Sequence, residues 1–132
     1  MLKAKFALAL LIVSIILLVS CSGSSSSGAA ATAVQDYWQA MVARDLNQVI
    51  ALSCTAWEAQ ARTEFNSFSA VTLKLEDVAC AVKSQASGEA QVTCNGAIIA
   101  NYGAEDLTID IANRTYLVVN ESGEWRMCGY QQ

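Results

Sequence analysis

The sequence predicts an α+β domain, and three observations predict it. Apolar residues recur with a helical period up to about residue 67. From Val71 the period drops to two and holds to Tyr130. Turn residues punctuate that second half at Ser87-Gly88, Asn101 to Gly103 and Glu121 to Gly123. Helices first and strands afterwards is the order of an α+β fold, not of alternating βα units. The expectation is N-terminal helices packed on a four-stranded antiparallel sheet.

A different kind of segment precedes the domain. Met1 to Cys21 opens with Lys3 and Lys5, runs apolar from Phe6 to Val19 and closes as Leu18-Val19-Ser20-Cys21. A positive start, a short apolar run and small residues before a cut describe a secretory signal peptide. The run is shorter than the ~20 residues a spanning helix needs. The closing tetrapeptide resembles the lipobox of bacterial lipoprotein signals. That resemblance implies cleavage after Ser20 and a diacylglyceryl group, with palmitate-type acyl chains, on the thiol of Cys21. It also implies an exported protein held at the cell envelope, on the outer membrane if the host has one. Residues 1–20 are then the signal, 21–29 the lipidated cysteine and its tether, and 30–132 one domain. The tether, Ser22 to Gly28, is Ser/Gly throughout, with a flexible-coil span of roughly 15 Å.

The first helix should begin near Ala30, because Val34, Tyr37, Trp38, Met41 and Val42 fall on one stripe. Asp45 has the character of an N-cap, with Gln48 three residues on to complete a capping box. The helix behind it carries Leu46, Val49, Ile50 and Cys54 inward. It bends near Ser53 to Thr55 and continues through Trp57, Ala61 and Phe65, with Glu58 and Arg62 able to pair outside.

In the strands, Leu73 and Leu75 have the opposite parity to Val78, Cys80 and Val82, so a bulge is expected near Glu76-Asp77. Ser87-Gly88 turns the chain into a strand lined by Val92, Cys94, Ile98 and Ala100. A long third strand is expected from Glu105 to Asn120, and a last one from Glu124 to Tyr130. The element order, with the ending Gly123-Glu124-Trp125-Arg126-Met127, resembles the nuclear-transport-factor-2-like (cystatin-like, SnoaL-like) superfamily. The resemblance implies a curved, cone-like sheet with a pocket between helices and sheet. Tyr37, Trp38, Met41 and Tyr116 are the residues that could line it.

Five cysteines is an odd count. If Cys21 carries lipid, Cys54, Cys80, Cys94 and Cys128 remain for two disulfides in an oxidising compartment. Pairing across the Ser87-Gly88 turn with Val82 facing Val92 puts the apolar even-numbered residues of both strands on one face and sets Cys80 opposite Cys94. A one-residue slip would put the two cysteines on opposite faces. Cys54 and Cys128 pair by elimination, although simple alternation turns Cys128 away from Trp125 and Met127. No two cysteines are spaced Cys-x-x-Cys and there is no histidine, which argues against a zinc site and excludes histidine-dependent catalysis.

The chain carries 8 basic and 12 acidic residues, and two of the basic ones leave with the signal. So acidic a domain lacks the positive footprint of a nucleic-acid binder. No catalytic, cofactor-binding or metal-binding set stands out. Of the residues that a tyrosine-and-carboxylate isomerase would need, Tyr37, Tyr102, Tyr116 and Asp110 have suitable chemistry, but Asp110 alternates against the apolar Ile109 and Ile111. The sequence therefore supports a lipid-anchored, non-catalytic domain that binds a small apolar ligand or a protein partner. The alternatives are a small-pocket isomerase or dehydratase of the same fold, or a purely structural envelope component.

Overall fold

The computed structural model describes residues 26–132; the expected signal peptide, the expected lipid attachment at Cys21 and the start of the expected tether lie outside the described residues. Helix α1 spans Ser26–Val42, α2 Leu46–Ala51 and α3 Glu58–Ser67. Strands β1 to β5 span Thr72–Ala86, Glu89–Asn101, Asp106–Asp110, Thr115–Glu121 and Glu124–Gln131. All pairings are antiparallel, in the order β1-β2-β4-β5, with β3 also on β2. Helix α1 starts four residues before Ala30, since Ala29, Ala30, Ala31 and Ala33 form a strongly helix-favouring stretch that reaches back into the serines.

The β1–β2 hairpin is the frame. Ser87 and Gly88 both have positive φ (35° and 83°), as a two-residue turn matched to strand twist requires. Cys80 faces Cys94 and Val82 faces Val92, the register expected from sequence, and Cys80–Cys94 is a disulfide. The expected bulge lies between Glu76 and Ala79. Asp77 is at φ 51° there, and Gly96 faces it at φ 91°, where a Cβ would meet the carbonyl group of Asp77 at 2.5–2.6 Å. A glycine is required at that crossing.

The long third strand exists in two pieces, which makes five strands where four were expected. β3 and β4 both pair with β2. Residues 111–114 fill the gap between them, where β2 spends only Cys94 to Gly96. The excess residue is absorbed in a turn: the Asp110 carboxylate accepts from the Ala112 amide (2.8 Å) and from Asn113 Nδ2 (2.9 Å). Asp110 is therefore a turn-former on the exposed side, and Ile111 is driven fully into the core.

The helical layer covers the concave face. Val34, Tyr37, Trp38 and Met41 of α1 meet Val92, Ile98, Tyr116, Val118 and Met127 of the sheet. Asp45 caps α2, its carboxylate accepting from the Gln48 amide at 3.0 Å, but its own N–H goes to Ala40 O, so the second half of the capping box does not form. Glu58 and Arg62 do not pair either: among the described residues the salt bridge is Arg126–Glu124. After α2 the chain bends as expected and runs along the free edge of β5. Cys54 N–H donates to Met127 O (2.8 Å) and Met127 N–H to Leu52 O (2.7 Å). This contact sets Cys54 beside Cys128, and the two form the second disulfide. The parity conflict at Cys128 is resolved by a bulge: Val118 pairs with Met127 and Tyr116 with Tyr130, so Cys128 and Gly129 together oppose Leu117.

Candidate functional site

Helix α3 carries an apolar stripe of Trp57, Ala61, Phe65 and Phe68, and Glu64 lies within that stripe. The stripe packs against the core, so this carboxylate is half-buried beside it. Two tyrosines meet it there. Tyr37 of α1 donates its hydroxyl to Glu64 Oε2 at 2.7 Å, and Tyr130 of β5 donates to Glu64 Oε1 at 2.8 Å. Trp57 Nε1 donates to the Tyr37 hydroxyl at 3.4 Å. Tyr130 can reach because the bulge at Gly129 turns it, and Trp57 packs over Gly129 with ring atoms 3.3 Å from where a Cβ would stand.

These phenols are held neutral. Burial, then the Glu64 charge and hydrogen bond, drive the Tyr37 hydroxyl far above the ordinary phenol range. The same causes push Tyr130 up to about 12. Burial also raises Tyr116, opposed by Trp38 and Arg114 beside its hydroxyl. At neutral pH both contacts to Glu64 are phenol donors on a carboxylate, which occupies one acceptor site on each of its oxygens and fixes each proton.

Outside this triad lies a cleft of about 320 Å³ lined by Gln60, Thr63, Glu64, Ser67, Phe68, Ile109, Arg114 and Tyr130. The Arg114 guanidinium stacks on the Tyr130 ring, 4.4 Å from its centroid. Inward from the cleft, edge-to-face ring pairs run Trp57–Tyr130 (5.9 Å), Tyr130–Tyr116 (5.7 Å), Tyr116–Trp38 (6.5 Å) and Trp38–Tyr37 (5.5 Å).

Tyr37, Trp38, Met41 and Tyr116, the expected pocket lining, do come together, but as packed neighbours: none is more than 1 % exposed. Tyr116 also borders a shallow hollow of about 220 Å³ beside Trp57 and Gly129. Tyr102 is exposed, and Asp110 belongs to the β3–β4 turn. Glu64, Trp57, Tyr130 and Arg114 were not singled out from sequence. The available signal was a carboxylate inside an apolar helical stripe, a position where a charged residue needs partners. Among the described residues no cluster could hold a metal ion, and no helix is long and apolar enough to cross a membrane. The two disulfides fit an oxidising, extracytoplasmic environment.

No protein-family model matches the chain, and none of the curated proteins does. Solved structures share its fold. A proposed dehydratase of the NTF2-like family from Streptomyces avermitilis superposes with a TM-score of 0.58 at 14% identity, covering 79% of this chain and 91% of that one. A SEC-C motif containing protein from Rhodopseudomonas palustris gives 0.54 at 9% identity, covering 78% and 79%. A helical cell shape determining protein from Campylobacter jejuni gives 0.50 at 11% identity, covering 75% of this chain and 38% of that one. The chain has the nuclear-transport-factor-2-like fold, with helices on a curved antiparallel sheet.

Proposed function

We propose that this protein is a lipid-anchored envelope component, held through Cys21, whose domain is a non-catalytic recognition module for a protein partner. The observation that carries this reading is the packed cone: Tyr37, Trp38, Met41, Ile98, Ile111 and Tyr116 are all 1 % exposed or less. Where related architectures can leave space for a ligand, this chain places its own side chains, so recognition falls to the surface. The small apolar ligand, the other half of the sequence expectation, has the weaker support for the same reason.

The mouth of the cone is the surface best placed for the task. Gly28 and Ala29 of α1 share a hollow with Gly123 and Glu124, so the β4–β5 turn sits at the tether end. Six residues further along β5, roughly 20 Å, lies Tyr130 at the mouth. A tether before α1 would join the domain at the end far from the mouth, which supports a mouth left clear of the attachment point.

An isomerase or dehydratase is the second reading. A carboxylate between two tyrosines favours it, as does the fold shared with a proposed dehydratase. It is weaker because each Glu64 oxygen already holds a phenol proton, whereas a general base needs a carboxylate aimed at substrate. Two experiments decide. A fatty-acid probe should label the protein in cells and Cys21→Ala should abolish the label; an unlabelled mature protein would overturn the anchor. A photo-crosslinking residue at Gln60 or Thr63 should give a discrete protein adduct in intact cells, and one at Gly123 should not. Adducts from neither end would remove the recognition reading.

A further inference from the structure

One side chain at the mouth has chemistry that the fold leaves unused. Arg114 stacks on Tyr130, and its Nε is buried without a hydrogen-bond partner. Among the described residues its guanidinium makes no salt bridge, although Glu64 lines the same cleft. Glu64 is turned instead toward the two phenols. Just inside, the Tyr116 hydroxyl lies against both Trp38 and Arg114. Yet Tyr116 Oη and Trp38 Nε1 are also buried without a partner of acceptable hydrogen-bond geometry. Three buried polar atoms without partners in one neighbourhood are rare in a folded protein, where such groups are nearly always satisfied. All three can donate.

We infer that the Arg114 cleft is a binding site for a monocarboxylate carrying an apolar body. A planar guanidinium with no carboxylate partner matches a carboxylate two-to-two through its terminal nitrogens, and the stack on Tyr130 sets the plane in advance. Phe68 and Ile109 supply the apolar wall. Glu64 selects for low charge: a single negative charge is compensated by Arg114, whereas a phosphate dianion faces net repulsion from Glu64 and from a strongly acidic domain. Neither Lys74 nor Lys83 lines the cleft to offset that second charge. The carboxylate can belong to a free small acid or to the C-terminus of a partner chain. This inference rests on the recognition-module reading and gives it a specific contact.

The test uses the processed, full-length protein in detergent micelles, followed by the indole N–H resonance of Trp38 and by calorimetry. Four probes are titrated: benzoate, a tetrapeptide ending in phenylalanine as the free acid, the same peptide as its C-terminal amide, and phenyl phosphate. At least one carboxylate should bind saturably. The peptide amide and phenyl phosphate should each bind at least tenfold more weakly than the better carboxylate. If benzoate is that better carboxylate, the source is a free small acid. If the peptide acid exceeds benzoate tenfold, it is a chain terminus. Arg114→Gln should weaken the better carboxylate at least tenfold. Should that variant fail to fold, Arg114→Lys, which keeps the charge and loses the planar fork, should still show a several-fold loss. Equal binding of acid and amide, or a folded Arg114→Gln or Arg114→Lys variant with unchanged affinity, overturns the inference. No carboxylate binding together with adducts at Gln60 sinks the cleft site and leaves the recognition module standing; carboxylate binding without adducts does the reverse.

Discussion

The interior of the cone and its mouth are built from neighbouring residues to opposite rules. Inside, Trp38, Met41, Ile98 and Val118 pack with almost no polar partners, and specificity comes from shape. At the mouth, one carboxylate, three tyrosines, a tryptophan and an arginine meet within a few ångströms, and specificity comes from hydrogen bonds. The helices divide the work: α1 fills the interior, and α3 delivers the carboxylate at the mouth. The interior is built for packing and the mouth for polar contacts, and this division can be broken by substitution. Trp38→Ala should cost about 3–5 kcal/mol in urea unfolding, as for large-to-small changes of buried aromatics. A cost under about 1 kcal/mol would show that the cone is not packed at its centre.

The two disulfides differ in the same way. Cys80–Cys94 closes a separation of 14 residues within one hairpin, and Cys54–Cys128 closes one of 74 residues between layers. In the chain-entropy model the second is worth about 4 kcal/mol and the first about 3. Cys54→Ala/Cys128→Ala should therefore lower stability more than Cys80→Ala/Cys94→Ala, read as urea midpoints under non-reducing conditions. The reverse order would mean that the linker before α3 holds to β5 without its covalent tie.

The same contrast explains what could be seen in the sequence. The hairpin disulfide was legible because a period of two sets Val82, Cys80, Val92 and Cys94 on one face. The two-residue turn by itself pairs Ala86 with Glu89, one residue out of that register, and a bulge between Val82 and Ser84 restores it. The long disulfide was reached by elimination, since Cys128 has the wrong parity until Gly129 inserts a bulge. A glycine inside a strand is the visible trace of that bulge. The α1 stripe and the helix-to-strand order were legible for the same reason: periodicity reports burial. The mouth was not legible, because its residues come from α1, α3, the β3–β4 turn and β5, and no local period connects them. Asp110 read as an ordinary strand residue, and only the turn it forms with Ala112 and Asn113 splits the strand and delivers Arg114 to the cleft.

At the mouth, Glu64→Gln should cost about 1–3 kcal/mol, because it weakens two charge-assisted bonds and turns part of the side chain into a donor facing phenol protons. It should leave the interior unchanged in near-UV circular dichroism. The tyrosines also set an alkaline limit. Their folded pKa values lie above the unfolded value near 10, so their contribution is full below pH 10 and is lost as pH rises, for Tyr130 up to about 12. Stability should fall above pH 10, by roughly 1.4 kcal/mol per pH unit for each tyrosine that ionises only on unfolding. Tyr130→Phe should flatten the slope; an unchanged slope would remove Tyr130 from the cause.

The smallest effects belong to the surface, where neither rule applies. Asp45 and Gln48 have the sequence of a complete capping box, but only Asp45 acts as a cap, because its own amide is already bonded to Ala40 O at 3.0 Å. Asp45→Ala should thus cost about 1 kcal/mol, and Gln48→Ala no more than about 0.5. Equal losses would mean that the Gln48 side chain reaches back in solution and that α1's last carbonyls release the Asp45 amide. The unequal result ties the start of α2 to the end of α1, so the turn between the two helices is held from both sides by backbone, with one carboxylate completing it.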